Sequence, residues 1–387
     1  MIVSAFGFLQ IIFASRVFFR LIRFAAKERI KTCNQPQPDR LSIILPVLNE
    51  AKRIANCLDG LITQTAEVKE ILIVDGGSSD GTQSIVEAYS ARDSRMKLID
   101  ASPVNQRWTG KAWGLNVGLQ HASSTSDWIL CVDADVRPRP LLARSLLAHA
   151  RRTGVSTFSV ATLQKLSGLI DGLIHPSFLT TLIYRFGMPG SRTRDLHRVQ
   201  ANGQCFITRR ETLIRTAAIL AAQTSLCEDI TIVRRMTECG EAVGFYETAE
   251  LLVDVSMYAD WRETWTNWPR SLAMHDQYYG WRETIGLAEV LFVQALPLPI
   301  LLLALIVALP AWTVSLNAIL FTFRLGVSFG LARAYRPRPW SYWLAPVADL
   351  PAALKLIQSA LKRRHNWRGR TYLRAASGTF EPIENSK

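Results

Sequence analysis

Two aspartates one residue apart, Asp133 and Asp135, follow the apolar run 128–132 in the segment DWILCVDADV. Carboxylates at that spacing can hold a divalent cation, and such a cation can neutralise a diphosphate. A second acidic pair, Glu228 and Asp229, opens the segment EDITIVRRM. Each pair also has a bland explanation. The first could be an Asp-rich turn capping the next helix, and the second could stabilise a helix amino terminus. Three further stretches carry related chemistry. Pro46, Asn49 and Glu50 close the run LSIILPVL, and Asp75 closes VKEILIVD ahead of Gly76 and Gly77, which leave room for a close ligand. Gly110 and Lys111 open a helical segment, offering amide N–H groups and a point positive charge to an anion. Capping would account for Asn49, Asp75 and Asp80, and a solvated charge for Lys111. Together, in this order, the set suits a nucleotide diphosphate: carboxylates for base and ribose, a cation for the phosphates, a lysine for balance.

The elements that must position these residues alternate between strand and helix from Leu41 onward, the pattern of a layered α/β domain. Strands are expected at 41–48, 68–75, 96–101, 128–132 and 155–163. The run 128–132 reads as a parallel-sheet strand covered on both faces. Side chains at the carboxyl end of such a strand emerge into the crevice where open α/β sheets bind ligands. Helices are expected to open at Asn49, at Gly110 and at 141, with Asp80 capping another. Residues 199–211 read as a strand leading into a helix, Glu228 and Asp229 open a helix, and a strand falls near 242–255. An aromatic stretch, WRETWTNWPRSLAM, covers 261–274.

The 387 residues suffice for one large domain and more, and 49% are hydrophobic. That excess is concentrated in residues 1–24 and 285–361. The net charge of +13 includes many basic residues flanking apolar segments, among them Arg16, Arg20, Arg23, Arg333, Arg336 and Arg338. This placement favours a membrane over nucleic acid as partner. Six cysteines without a C-x-x-C spacing argue against a disulfide framework or zinc site, and for a reduced, cytoplasmic catalytic domain. A removable signal peptide is disfavoured, because a basic n-region and a small-residue cleavage site are missing.

The expected organisation is an N-terminal membrane anchor (1–24), a linker (25–40), a catalytic α/β domain (41–275), membrane helices (285–361) and a basic cytoplasmic tail (362–387). Residues 2–19 suit a short or tilted membrane helix with Arg16 snorkelling, or an in-plane amphipathic helix. Residues 288–310 and 311–331 are expected to form a transmembrane hairpin. Residues 340–361, which hold Asp349 and prolines, fit a re-entrant or interfacial helix better. The apolar insert 166–189 is either core or a segment lying on the bilayer or lining a lipid groove.

PVLNE (46–50), VDGGSSDGT (74–82), GKAWGLNVGL (110–119), DAD (133–135) and CED (227–229) resemble the motifs of family 2 glycosyltransferases, which have a GT-A fold. The resemblance covers roughly residues 41 to 275. The apolar C-terminal segments and WRGRTY (367–372) are similar to a membrane-bound branch that includes carotenoid- and hopanoid-associated enzymes, most of all cyanobacterial carotenoid 2'-O-glycosyltransferases. The resemblance implies that Pro46, Glu50 and Asp75 line the nucleotide and that Lys111 approaches its base or phosphate end. It implies Asp135 as main ligand of Mg²⁺ or Mn²⁺, Asp133 as contact to the nucleotide sugar or metal, and Asp229, second of the Glu228–Asp229 pair, as general base. The reaction implied is inverting transfer of one sugar from a UDP- or GDP-sugar to a hydroxyl of a membrane-embedded acceptor such as a carotenoid. Processive synthases of the family carry Gln-x-x-Arg-Trp. Here WTNWPRS (264–270) offers Trp265, Trp268 and Arg270 without the glutamine, which argues against a polymerase. The tryptophans could flank the acceptor or be interfacial anchors. Two rivals stand beside this reading: transfer to polyprenyl phosphate or another glycolipid, and an inactive sugar-nucleotide-binding scaffold. A transporter is disfavoured by the small number of apolar segments.

Overall fold

The computed structural model describes residues 2–23, 28–166, 168–367 and 370–383. Parts of the expected anchor, linker, insert and basic tail, and Arg368 and Gly369 of WRGRTY, lie outside the described residues. After helix α1 (Ile2–Arg23), the chain alternates β1 (Leu41–Val47), α2 (Ile54–Ile62), β2 (Val68–Asp75), α3 (Thr82–Ser90), β3 (Met96–Asp100), α4 (Gly110–His121) and β4 (Trp128–Val132). Helix α5 (Leu142–Thr153), β5 (Thr157–Ala161), α6 (Leu169–Phe186), β6 (Cys205–Arg209), α7 (Glu228–Glu238) and β7 (Val243–Thr248) complete the domain.

Successive side chains of a strand point to opposite faces, so a strand apolar throughout must be covered twice. In β2, Ile71 and Ile73 enter one core cluster while Leu72 and Val74 enter the other. The first cluster holds α2 and α5, the second α4 and α7. Helix α4 approaches β1 closely because of its glycines: a Cβ on Gly118 would fall 2.4 Å from Ile44, and one on Gly114 2.9 Å from Pro46. Strands β4, β1, β2 and β3 lie side by side in parallel. The sheet is nevertheless mixed, because β6 runs antiparallel between β4 and β5. The expectation of a purely parallel setting for 128–132 is corrected by that one strand.

Other boundaries also move. The helix expected from Asn49 starts at Ile54, because Asn49 adopts a left-handed φ of 55° and the 49–53 segment is a turn. The expected strand 155–163 splits into β5 and Leu163–Gln164, and the 242–255 strand into β7 and Val253–Val255. Leu163–Gln164, Val253–Val255 and Val136–Pro138 form a separate small sheet.

Beyond the sheet come α8 (Trp261–Leu272), α9 (Trp281–Glu289), α10 (Pro297–Leu303), α11 (Ala311–Leu331) and α12 (Asp349–Leu361). By length and composition, Ala311–Ala334 and Trp340–Leu361 are able to cross a membrane. The expected span at 288–310 is not straight. Trp281–Ala295 and Pro297–Leu303 meet at a 41° bend, where a π-helical turn precedes Pro297, and together they would make a third span. The segment 340–361, expected to be re-entrant or interfacial, is thus long and apolar enough to span. Its carboxylate meets Arg324 of α11 at 2.7 Å, and Gln294 donates to it at 2.9 Å.

Arg16 and Arg20 of α1 bind Glu289 at 2.6 and 2.7 Å, Arg20 buried and Arg16 with 47% of its side chain exposed. Most of the insert packs against other helices, and part of it lines a cleft. Phe178, Ile183 and Tyr184 of α6 are buried, and the helix packs on α8, α12 and the turn Trp340–Ala348; only Leu169 and Ile170 near its start stay exposed.

Candidate active site

Strand β4 ends at Val132, paired with Cys205 of the antiparallel β6. The register therefore brings the amino end of β6, Asn202–Gly203–Gln204, against Asp133, whose amide donates to Gln204 O at 3.4 Å. Burial, together with Asp133, pushes the Asp135 carboxyl up to about 7, against the opposing pull of Arg53 and Lys111. Its Oδ1 is buried without a hydrogen-bond partner. An orphaned carboxylate oxygen is costly, and a cation is one ligand that would relieve it. Among the described residues no group of three or more His, Cys, Asp or Glu forms a complete metal site. Asp133 and Asp135 could supply only part of a coordination shell, as two hard oxygen donors suited to Mg²⁺ or Mn²⁺.

Lys111, in the first turn of α4, reaches Asp133 Oδ1 at 2.8 Å and Glu228 Oε1 at 2.7 Å. Burial alone would lower its pKa, but the carboxylates of Asp133, Glu228 and Asp229 raise it well above the usual lysine value. Asp229 begins α7. Its Oδ2 accepts from the Gly203 amide at 2.9 Å and its Oδ1 from its own helix at Ile230 N, 2.8 Å. Burial and Glu228 push the Asp229 carboxyl up to about 6, while Lys111 and those two amides act against them. A carboxylate poised near neutrality, fixed by two amides, is equipped to accept a proton. Helix α7 is itself anchored by Arg234, fully buried, which binds Asp276 at 2.7 Å and Glu283 at 3.2 Å.

Pro46, Glu50, Lys111, Asp133, Asp135, Glu228 and Asp229 all line one cleft of about 620 Å³. Glu50 is held by Arg53 at 3.1 Å and its amide donates to Thr82 Oγ1 at 2.8 Å. Asn49 and Asp75 stand beside the cleft and do not line it. Asn49 bridges two loops, its amide donating to Ser78 Oγ at 2.8 Å and its Oδ1 accepting from Ser79 N at 2.9 Å. Asp75 is 1% exposed and accepts from Gln83 at 2.5 Å and from the amide and hydroxyl of Ser78. Asp80 does hold the start of α3, accepting from Thr82 N at 3.1 Å.

Several cleft residues escaped the sequence reading. Asn202, Gln204 and Thr162 form an amide–hydroxyl cluster, with Thr162 donating to Gln204 at 2.6 Å. The signal was the polar ANGQ beside a buried strand, but only the antiparallel register shows where it goes. Trp268 is buried rather than interfacial, its ring 4.0 Å from His175 and 5.9 Å from Phe178, and it lines the cleft. The C-terminal hairpin contributes Asn366, Arg370 and Tyr372. The cleft is also lined by Leu179, Leu182 and Ile183 of α6, by Leu331 of α11, and by Arg333 and Arg336.

Residues 42–215 match the model of the family described as glycosyl transferase family 2. Among curated proteins, 112 residues are 30% identical to the uncharacterized glycosyltransferase YibD of Escherichia coli, covering 29% of this chain and 30% of that protein. Over 118 residues the chain is 30% identical to the poly-beta-1,6-N-acetyl-D-glucosamine synthase of Staphylococcus aureus, covering 30% of this chain and 27% of that protein. The chain thus spans about a third or less of the curated relatives it matches. Among solved structures, the mannosyltransferase PcManGT from Pyrobaculum calidifontis, in complex with GDP-Man and Mn²⁺, superposes with a TM-score of 0.50 at 17% identity. That match covers 91% of this chain and 99% of the other, and it shows the GT-A α/β fold.

Proposed function

We propose, for a chain whose residues 42–215 form a family 2 glycosyltransferase domain on a GT-A fold, that it is a membrane-anchored, metal-dependent, inverting glycosyltransferase. It moves one sugar from a UDP- or GDP-sugar to a hydroxyl of a lipophilic acceptor, a carotenoid. One observation carries the acceptor class. The cleft that holds Asp135 and Asp229 is walled in part by Leu331, the end of a helix able to cross a membrane. A water-insoluble acceptor can reach the carboxylates from the bilayer surface along that wall. The basic residues Arg333, Arg336 and Arg338 follow this helix end directly, which supports a cytoplasmic catalytic domain. In this reading 1–24 anchors, 25–40 links, 41–275 catalyses, 285–361 sits in the membrane and 362–387 is cytoplasmic.

Asp135 and Asp133 would hold the cation, which supplies positive charge at the leaving diphosphate. Pro46 and Glu50 flank the nucleotide, with Asn49 and Asp75 fixing the loops that shape its site. Asp229 takes the proton from the acceptor hydroxyl as that oxygen bonds to the anomeric carbon. The bond from that carbon to the diphosphate breaks on the opposite side, and a single displacement inverts the configuration. Lys111 joins Glu228 and Asp133, at 2.7 and 2.8 Å on either side of one ammonium, and so fixes the start of α7, where Asp229 sits, against the Asp133 loop.

Arg333 and Arg336, which also line the cleft, favour a second reading, an acceptor bearing a phosphate such as a polyprenyl phosphate. Such an acceptor needs no deprotonation, so turnover would survive Asp229→Asn. The test is incubation of the purified full chain with labelled UDP- and GDP-sugars, Mn²⁺ and extracted carotenoids or polyprenyl phosphate. Label entering the carotenoid fraction supports the first reading, and label entering the phosphate lipid supports the second. Nucleotide binding without transfer to any lipid would mark a scaffold.

A further inference from the structure

We propose that Arg370, on the C-terminal hairpin, binds the diphosphate of the nucleotide donor, so that this hairpin completes the donor site. The inference rests on the donor reading above, and it starts from how the hairpin is fixed. Strands Arg364–Trp367, Arg370–Arg374 and Phe380–Ile383 pair antiparallel. Tyr372 and Phe380 are buried against Leu226, just ahead of the Glu228–Asp229 pair. Phe380 N donates to Thr224 O at 2.9 Å, and Arg270 of α8 donates to Asn366 O at 3.2 Å. Gly378, at φ +83°, lies so close to the domain that a Cβ there would fall 2.2 Å from the Asp276 carbonyl. The hairpin is docked on the domain that carries the carboxylates.

Its inner face then points into the cleft. Side chains two apart on a strand share a face. Arg370 and Tyr372 both line the cleft that holds Gly110, Lys111 and Asp133, and the Tyr372 hydroxyl faces the Gly110 amide at the amino end of α4. Charge gives this placement its meaning. Glu50, Asp133, Asp135, Glu228 and Asp229 line the cleft, while Arg53 is bound to Glu50 and Lys111 to Asp133 and Glu228. A diphosphate adds further negative charge to a wall already acidic. Arg370 stands near the Tyr372 hydroxyl, where its charge opposes the rise that burial gives that group, and among the described residues no carboxylate forms an ion pair with it. A planar guanidinium fork suits two phosphate oxygens better than an ammonium does.

The test measures UDP, GDP, UMP and GMP binding by calorimetry to the full chain in lipid nanodiscs with Mg²⁺, for wild type, Arg370→Ala and Arg370→Lys. The expected result is a loss of about tenfold or more in diphosphate affinity for Arg370→Ala, partly restored in Arg370→Lys, with monophosphate affinity nearly unchanged. Undiminished diphosphate binding by Arg370→Ala overturns the inference, and so does an equal loss for mono- and diphosphates, which would mark a merely structural hairpin. Wild type that binds neither UDP nor GDP overturns the donor reading, and this inference with it.

Discussion

Lys111 Nζ lies 2.7 Å from Glu228 Oε1, joining α4 to α7, the helix that carries the proposed base Asp229. Gly203 makes room for this contact, since a Cβ there would fall 2.8 Å from Lys111 Nζ and 3.4 Å from Asp229 Cβ. Gly203→Ala should therefore fold, because the end of a lysine side chain can shift, but its ammonium should leave the carboxylates. Misplacement of that order can cost about 10²-fold in turnover. Melting temperature and kcat measured together check this, and a normal kcat with Ala at 203 would show that the contact is not needed.

Asp229 gives a pH dependence. With its carboxyl pushed up to about 6, chiefly by burial and by Glu228, the base is ionised above that pH and protonated below it. Transfer to a hydroxyl should rise with pH through about 6 and then level, and Asp229→Asn should lose about 10²–10⁴-fold. Stability has the opposite sign. A raised carboxyl favours the folded state at low pH, and that contribution is lost as pH rises from 3.8 through about 6. Asp229→Asn should thus be at least as stable as wild type at pH 8, which denaturant titration can measure.

Removal of divalent cations with a chelator should abolish transfer, and Mn²⁺ or Mg²⁺ should restore it. Asp135→Asn should need far more cation for half-maximal rate than wild type, because the orphaned Oδ1 is the strongest candidate ligand. Full activity in chelator would contradict the assignment of Asp133 and Asp135.

The Arg234–Asp276 pair is 0% and 1% exposed at its side chains. Asp276→Asn leaves Arg234 only the longer contact to Glu283 at 3.2 Å, so it should destabilise the chain, by less than the about 3–5 kcal/mol of a fully orphaned buried charge. Arg234→Met should cost more than Asp276→Asn, because it strips both Asp276 and Glu283 of the buried guanidinium, as chemical denaturation of the two variants would show.

The sequence reading located what is local. Asp133, Asp135, Lys111, Glu228 and Asp229 sit at strand ends or helix starts, and strand ends are legible from runs such as VKEILIVD, which matches β2 over Val68–Asp75. Asn202, Gly203 and Gln204 were not legible, because their place beside Asp133 depends on β6 running antiparallel, a tertiary fact. The partners of Arg16, Arg20 and Asp349 were hidden for the same reason. Charges on apolar helices suggest an interface until Glu289 or Arg324, far off in sequence, is brought against them. Arg370 is the extreme case: WRGRTY (367–372) stood out as a motif in a basic tail, but nothing in the sequence placed it at the cleft.

Mass spectrometry of lipid and pigment extracts, from cells making the wild-type chain or Asp229→Asn at equal membrane levels, probes donor, acceptor and base at once. A carotenoid carrying one hexose or deoxyhexose should be present with wild type and fall away with the variant. Identical extracts, with both proteins folded and in the membrane, would contradict Asp229 as base and transfer to a lipid hydroxyl as the reaction.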